Sequence, residues 1–314
     1  MPAVIETAAN SAAVWQVSGA SVRGAAHLRR RLPNQDAIRW SASGNVAAPL
    51  VLAVADGHGS AKCFRSHIGA RLAVMCAVRV VETAFGNQEL IDPSDLSAID
   101  CLTRRIVAEW RSAVSRDLWL FPFEEQELAL AMQSAGADVR RALARRPSLA
   151  YGSTLSVAAV TESYGLYLQL GDGDTLSVSP DSHVTRPVPE DPRLFADQTT
   201  SLCMDDAAGN VRVGLQRWGA ESPPPALILI STDGYANSFK DDQGFLRVGS
   251  DLLSLLQEEG LPAVETNLES WLEEASRLGS GDDVTLGLLY RSSVPLSSFP
   301  VAQPLLASVL GVGR

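Results

Sequence analysis

The pattern of apolar and polar residues predicts strands near the start of the chain, followed by long helices. Apolar runs predict strands at residues 15–22, 37–40 and 50–55, with a basic loop at 23–33 after the first of them. Beyond residue 60, apolar positions recur every four residues from Phe64 to Val80, which is close to the period of a helix. The same reasoning predicts helices at about 95–120 and about 125–146.

The second half of the chain returns to strands. Strands are predicted at 151–160 and 164–170, and the three-residue link between them predicts an antiparallel hairpin. Further strands are predicted at 226–231 and 284–290, with helices at 245–258 and 262–278 between them. Strands, then helices, then strands with hairpin links are typical of an α+β fold with antiparallel sheets covered by helices.

Three segments lack the periodicity of regular elements. Residues 1–12 are small and polar, and are predicted to be a flexible arm. Residues 179–224 are rich in Pro, Asp and Gly and are predicted to be a flap inserted into the fold. Residues 292–314 are predicted to be a loosely ordered tail. The remaining residues, 13–291, are predicted to form one domain that includes the flap.

Composition and charge exclude several classes of protein. Hydrophobic residues make up 46% of the chain and charged residues 20%, as in folded globular proteins. The excess of 36 acidic over 26 basic residues argues against a nucleic-acid partner, whose binding depends on neutralising phosphates. Because we find neither a signal peptide nor a transmembrane run, we expect a cytoplasmic protein without a membrane partner. Its four cysteines are expected to be reduced and packed among apolar side chains.

Five aspartates stand where predicted strands begin or end. They are Asp36, Asp56, Asp172, Asp233 and Asp282. Since the end of one antiparallel strand lies beside the start of the next, these carboxylates can share one edge. A single aspartate in such a place is usually a turn former or a helix cap. Five together would repel one another unless cations neutralised them, and oxygen ligands favour Mg²⁺ or Mn²⁺ over Zn²⁺.

Six short motifs extend this pattern over most of the chain. In order they are RLPNQDA (31–37), VADGHGS (54–60), GSTLS (152–156), LGDGD (170–174), STDG (231–234) and GDDVT (281–285). With these motifs the sequence resembles a bacterial member of the metal-dependent protein phosphatases, the type 2C serine/threonine phosphatases. The resemblance implies a four-layer α-β-β-α sandwich of two antiparallel sheets flanked by helices. It also implies two Mn²⁺ or Mg²⁺ ions at one end of the sandwich.

The resemblance assigns expected roles to the residues that match the motifs. Asp56 would bridge the two metal ions, and the carbonyl group of Gly57 would add an oxygen ligand. Asp233 and Asp282 would complete the coordination of the first ion.

Two further aspartates are expected around the remaining ions. Asp36 would lie near the second ion, with Gln35 in the place where many members have Glu. Asp172 would hold a weaker third ion.

The resemblance also implies a mechanism and partners. A water that bridges the two metal ions would attack the phosphorus directly, without a phosphoenzyme. Arg31 would bind the substrate phosphate, and His58 would protonate the leaving oxygen. The other histidines have no motif around them and are expected to be structural. The substrate would be a phosphorylated protein, and a cognate serine/threonine kinase would be the opposing partner.

The sequence departs from the family pattern at two places. Gly173 and Asp174 stand where the family usually has Ser and Arg, and Asp283 stands where Asn is common. Asp174 could face the same ion as Asp172, depending on the backbone path through Gly173. Since no expected ligand is missing, we expect an active enzyme. The alternative is a catalytically weak regulatory module that binds metal and phosphoprotein.

Overall fold

The structure, a computed structural model, describes residues 14–41, 49–86, 95–190 and 199–292. The predicted arm at 1–12 lies outside the described residues, as does the predicted tail apart from Ser292. Residues 191–198 of the predicted flap also lie outside them. Among the described residues, no helix combines the length and the apolar character needed to cross a membrane.

The described residues form ten strands and eight α-helices. The strands are β1 (Val14–Val22), β2 (Ala37–Trp40), β3 (Leu50–Ala55), β4 (Leu155–Val160), β5 (Tyr164–Leu170), β6 (Asp174–Val178), β7 (Val184–Thr185), β8 (Arg212–Arg217), β9 (Leu227–Ser231) and β10 (Val284–Ser292). The helices are α1 (Ala25–Arg30), α2 (Ser66–Gly86), α3 (Leu96–Leu120), α4 (Glu125–Ala135), α5 (Asp138–Arg145), α6 (Asp233–Ala236), α7 (Asp242–Glu259) and α8 (Leu261–Leu278).

The strands form two five-stranded antiparallel sheets. The first has the order β1-β10-β9-β6-β7 and the second the order β2-β3-β4-β5-β8. Apolar side chains from both sheets, including Leu52, Tyr167, Ile228 and Leu289, are buried between them. Full burial of a leucine or isoleucine side chain contributes roughly 1.5–3 kcal/mol to the stability of the fold.

Helices cover the outer face of each sheet. On the second sheet, Trp110 of α3 and Val78 of α2 are buried in one cluster with Val157 of β4. On the first sheet, Leu272 of α8 is buried in one cluster with Leu288 of β10. The predicted four-layer α-β-β-α architecture and the predicted hairpin between β4 and β5 are therefore confirmed.

One predicted loop and one predicted helix differ from the structure. The predicted loop at 23–33 contains α1, whose start is fixed by tertiary contacts: the amide of Ala26 donates to the carbonyl of Gly281 at 2.8 Å. The single helix predicted at 125–146 is wrong, because the chain breaks into α4 and α5 at Gly136, which has a φ of +85°. A left-handed φ of this kind favours glycine and ends a helix.

The sequence pattern does not predict strands β6 and β8, for a different reason in each case. In β6 the polar residues Thr175 and Ser177 are buried, and Ser177 donates a hydrogen bond to Gln216 of the other sheet at 3.1 Å. Strand β8 lies within the predicted flap but pairs with β5 at the edge of the second sheet. Residues 212–217 therefore belong to the sandwich rather than to an irregular flap.

Candidate metal centre and active site

Three carboxylates meet at one end of the two sheets. Asp56 follows β3, Asp172 follows β5, and Asp233 comes two residues after the end of β9. Each of the three offers an oxygen atom, and these atoms all lie within 4.8 Å of one another. The fold therefore brings together three of the five aspartates that the sequence places at strand ends.

Backbone contacts hold these residues in place. The amide of Asp56 donates to the hydroxyl of Thr154 at 2.9 Å, and the amide of Thr154 donates to the carbonyl of Asp56 at 2.8 Å. The chain turns toward Asp172 at Gly171, whose φ is +104°. A Cβ at Gly171 would lie 2.5 Å from Cγ2 of Thr154, so this close turn requires glycine.

Asp36 lies deeper than the three clustered carboxylates. Its Oδ2 accepts hydrogen bonds from the hydroxyls of Thr232 and Thr285, both at 2.7 Å. Thr232 directly follows β9 and Thr285 lies near the start of β10, so two adjacent strands of the first sheet hold the carboxylate that precedes the second sheet.

Asp282 lies in a neighbouring group with Asp283 and His27. Its side chain is 53% exposed, and its Oδ1 is 3.8 Å from Nε2 of His27. Asp283 is buried and contacts Nδ1 of His27 at 2.8 Å. It also accepts hydrogen bonds from the amides of Gly24 and Gln35, each at 2.6 Å, so it ties the segment before Asp36 to the start of β10.

Asp36, Asp56 and Asp233 hold their protons more tightly than free aspartates. Burial raises the pKa of Asp56 well above its usual value, and the nearby charges of Asp36 and Asp233 raise it further. Burial also raises the pKa of Asp36 to about 8 and that of Asp233 to about 6. Without cations, these carboxylates therefore keep protons at pH values where a free aspartate is ionised. A site of this kind is expected where metal ions neutralise the carboxylate charges.

Gln35 supplies a further test of whether the residues fit a hard cation. Its side-chain amide donates to Ser66 at 2.7 Å, but its buried Oε1 has no hydrogen-bond partner among the described residues. This oxygen is 3.8 Å from the place that a Cβ on Gly59 would occupy, and the carbonyl of Gln35 accepts from the amide of Gly57 at 3.1 Å. An unpartnered buried oxygen on the residue that precedes Asp36 is a ligand type that suits Mg²⁺ or Mn²⁺.

His58 lies between the carboxylates and the segment before β4. Its amide donates to the carbonyl of Gly152 at 3.1 Å, and its ring packs against the same glycine. Burial lowers the pKa of His58, and the nearby charge of Asp172 partly opposes this effect. The His58 imidazole is therefore close enough to Asp172 for the carboxylate charge to affect its pKa.

Arg31 directly follows α1 and is exposed. Its φ of +59° puts a non-glycine residue in the left-handed region, and its amide donates to the carbonyl of Leu28 at 3.2 Å. No hydrogen bond or ion pair from its guanidinium is found among the described residues. The side chain is thus oriented by a constrained backbone and is open to a ligand.

Asp174 does not join the carboxylate cluster. Arg186 binds it through two hydrogen bonds, of 2.8 Å from Nε and 3.1 Å from Nη2. The possibility that Asp174 faces the same ion as Asp172 is therefore not supported, because the guanidinium occupies both of its oxygens.

Several residues that build the site are not identified by the sequence reasoning. Thr154, Thr232 and Thr285 fix the positions of Asp56 and Asp36, and all three lie inside the motifs GSTLS, STDG and GDDVT. The motifs contain these threonines, but the spacing of the motifs does not predict which aspartate each hydroxyl contacts. The contact of His27 with Asp283 has no signal in the sequence at all.

A family model described as protein phosphatase 2C matches residues 23–273. The chain belongs to the protein phosphatase 2C family. The match covers most of the described domain, and this membership supports protein phosphatase activity. No curated protein gives a significant match.

Solved structures of bacterial phosphatases share the fold of this family member. The catalytic domain of the serine/threonine protein phosphatase PstP, in complex with two manganese ions, is 17% identical with a TM-score of 0.53, and the match covers 89% of this chain and 99% of that one. The serine/threonine phosphatase Stp1 from Staphylococcus aureus is 14% identical with a TM-score of 0.52, with 88% and 95% covered. The serine/threonine phosphatase PstP/Ppp of Mycobacterium tuberculosis is 16% identical with a TM-score of 0.51, with 88% and 98% covered.

Proposed function

We propose that this protein is a serine/threonine phosphatase that removes phosphate from phosphorylated proteins with the help of two divalent cations. The observation that carries the proposal is the meeting of Asp56, Asp172 and Asp233 at one end of the sandwich. Asp36 adds a fourth carboxylate whose pKa is raised by burial. Family membership and the two manganese ions of the PstP catalytic domain support the same interpretation.

The ligands of the two cations would be those that the family pattern assigns. Asp56, Asp233 and Asp282 would hold one ion. Asp56 would also be a ligand of the second ion, and the carbonyl of Gly57 would add an oxygen ligand. Asp36 would lie beside the second ion. When bound, Mn²⁺ or Mg²⁺ supplies the positive charge that activates a water near neutral pH and offsets the charge of the phosphate.

Asp172 would hold a third, weaker ion. Its side chain is exposed, whereas Asp36 is buried, so an ion held by Asp172 would exchange more readily with solvent.

His58 and Arg31 would act on the substrate itself. The proton on the His58 imidazole would pass to the serine or threonine oxygen as its bond to phosphorus breaks. The planar guanidinium of Arg31 would bind two phosphate oxygens, for which it is better suited than a lysine ammonium.

A cleft beside Asp172 has room for the substrate polypeptide. It encloses about 370 Å³ and is bounded by Arg186 and Glu190 from the predicted flap. We infer that the chain flanking the phosphorylated residue enters here. A bacterial serine/threonine kinase would be the opposing enzyme, and the cytoplasm the place where both act.

The test is phosphate release from a panel of phosphoserine, phosphothreonine and phosphotyrosine peptides, with Mn²⁺, with Mg²⁺ and with EDTA. Metal-dependent release from the serine and threonine peptides is the expected result. A folded protein that binds Mn²⁺ by calorimetry but releases no phosphate from any peptide would overturn the proposal. The protein would then be a regulatory module.

A further inference from the structure

Two cysteines lie on either side of Gly152, directly beside His58. A Cβ placed on Gly152 would be 3.2 Å from the sulfur of Cys63 and 3.2 Å from the sulfur of Cys203. The two sulfur atoms are therefore separated by at most twice that distance. The same point is 2.8 Å from Cδ2 of His58, so the imidazole and both thiols surround one glycine.

The two thiols join parts of the chain that are far apart in sequence. Cys63 ends the short 3₁₀ helix that follows the Asp-Gly-His-Gly motif, and Cys203 lies next to Leu202 in the segment before β8. The amide of Leu202 donates to the carbonyl of Ser153 at 2.9 Å, which fixes this second segment beside the start of β4. A bond between the sulfurs would thus connect the His58 loop to residues 199–204.

We propose that Cys63 and Cys203 form a reversible disulfide when the protein meets a peroxide, and that this disulfide displaces His58 and switches the enzyme off. The effect on activity rests on the proposed phosphatase function. In reducing compartments, disulfides are usually transient and sense redox conditions, which suits a pair placed beside a catalytic group.

The chemistry balances with a peroxide as the oxidant. One thiol attacks the peroxide, whose O–O bond breaks, giving a sulfenic acid and one molecule of water. The second thiol then attacks the sulfenic sulfur, the S–O bond breaks, and a second water leaves as the S–S bond forms.

The structure indicates which sulfur reacts first. Cys203 is 8% exposed and Cys63 only 2%, and burial raises the pKa of the Cys63 thiol. The peroxide therefore reaches Cys203 first, and Cys63 resolves the sulfenic acid. The hydroxyl of Ser201, 3.2 Å from the sulfur of Cys203, can donate a hydrogen bond to the reacting thiolate.

The effect on His58 follows from the space around Gly152. A disulfide needs its sulfur atoms about 2.05 Å apart, so the two sulfurs must close in the space beside Gly152, which Cδ2 of His58 also borders. We expect the closing sulfurs to push the ring out of this space, which moves the proposed proton donor away from its position in the reduced protein.

The experiment uses the full-length protein loaded with Mn²⁺ and treated with hydrogen peroxide, which is then removed. Peptide mapping is expected to find a Cys63–Cys203 cross-link. Phosphopeptide hydrolysis should fall at least tenfold and return after treatment with dithiothreitol. The Cys63→Ser and Cys203→Ser variants should keep their activity after peroxide, whereas Cys101→Ser, which removes an exposed thiol, should respond as wild type does.

A readout independent of turnover separates this inference from the proposed function. The chain has four histidines, so in the protein loaded with diamagnetic Mg²⁺ the His58 imidazole resonances can be assigned by comparison with a His58→Gln variant. They should shift on oxidation of wild type but not of Cys63→Ser. Absence of the cross-link, or a cross-linked protein with unmoved resonances, would overturn the inference. Lack of phosphatase activity in the reduced protein would count against the proposed function alone.

Discussion

The guanidinium of Arg186 binds the carboxylate of Asp174 through two hydrogen bonds. Arg186 also binds Asp242 at the start of α7 and lies over the ring of Phe245, with its guanidinium carbon 5.8 Å from the ring centre. One side chain therefore ties the segment after β7 to β6 and to α7. Asp174, which replaces the arginine that the family usually has, acts as an anchor for this segment.

Asp174→Arg should destabilise the fold without changing metal dependence. Two guanidinium groups would then face each other, and Arg186 would lose a largely buried partner. We expect a loss on the order of 2 kcal/mol, or a Tm lower by roughly 4–8 °C, measured by calorimetry. The double variant Asp174→Arg/Arg186→Asp should recover part of it. An altered Mn²⁺ titration of activity at unchanged Tm would instead make Asp174 a metal ligand.

Asp56→Ala and Asp233→Ala should each reduce phosphate release by roughly 100-fold or more, because each removes an oxygen from the shared cation site. The variants should still fold. In EDTA at pH 7.5 their Tm should equal or exceed that of wild type, since each lacks a half-buried carboxylate whose pKa is raised by desolvation. The matched control is Asp138→Asn, an exposed carboxylate on α5. Equal activity in Asp56→Ala and in the control would remove the basis of the metal centre.

The metal-free protein should lose stability as the pH rises. Burial raises the pKa of Asp36 to about 8 and that of Asp233 to about 6, against about 4 in an unfolded chain. Between these values the folded state binds more protons than the unfolded state, so the free energy of unfolding falls from about pH 4 to about pH 8. For Asp36 alone the fall is on the order of a few kcal/mol.

The measurement is Tm in EDTA at several pH values from 5 to 8.5, repeated with Mn²⁺. Mn²⁺ should raise Tm more at pH 8 than at pH 5.5. At pH 8 the cation neutralises carboxylates that protons already neutralise at pH 5.5. Asp36→Asn should flatten the profile in EDTA. A metal-free Tm that increases between pH 5.5 and 8 would contradict the raised pKa values.

His58→Ala should affect substrates according to their leaving groups. A phosphoserine peptide needs a proton on its leaving oxygen, and loss of the donor should lower kcat by roughly 100-fold. With p-nitrophenyl phosphate, whose leaving group is stable as an anion, the loss should be less than about tenfold. His183→Ala serves as a control on an exposed histidine. A similar loss on both substrates would point to a structural role for His58.

Arg31→Ala should raise KM for phosphopeptide while Mn²⁺ affinity stays the same, because a guanidinium binds phosphate but cannot ligate a cation. Arg31→Gly suits the left-handed backbone at this position, so it removes the side chain without adding strain. Both variants should show the same increase in KM, and Arg29→Ala should show little change. An increase confined to Arg31→Ala would trace the effect to the backbone.

The sequence predicted those parts of the fold whose burial pattern is simple. Strand β3 is buried at every position, and its apolar run marks it clearly. Strand β6 is buried except at its first residue, but its buried residues Thr175 and Ser177 are polar, and Ser177 donates to Gln216 across the sandwich. Helix α1 has six residues and takes its start from a contact with Gly281, far away in sequence.

The candidate site shows the same division. The aspartates could be named in advance, because each interrupts an apolar run at a strand end. Their partners could not, because the hydroxyl of Thr285 reaches Asp36 across 249 positions of sequence. The neighbourhood of Cys63 and Cys203 was also missed, since it depends on the close approach of two loops over Gly152.

The contacts of Asp283 with Gly24 and Gln35 affect how the protein is made. A ribosome synthesises the N-terminal part of a chain first. The segment that carries Asp36 therefore emerges long before Asp283, which holds that segment in place. Strand β1 also waits for β10, with which it pairs along all nine of its residues. A nascent chain that has not yet released residues 282–285 therefore lacks the contacts that Asp283 and Thr285 make with the segment around Asp36. We therefore expect phosphatase activity to appear only after β10 has been synthesised and released.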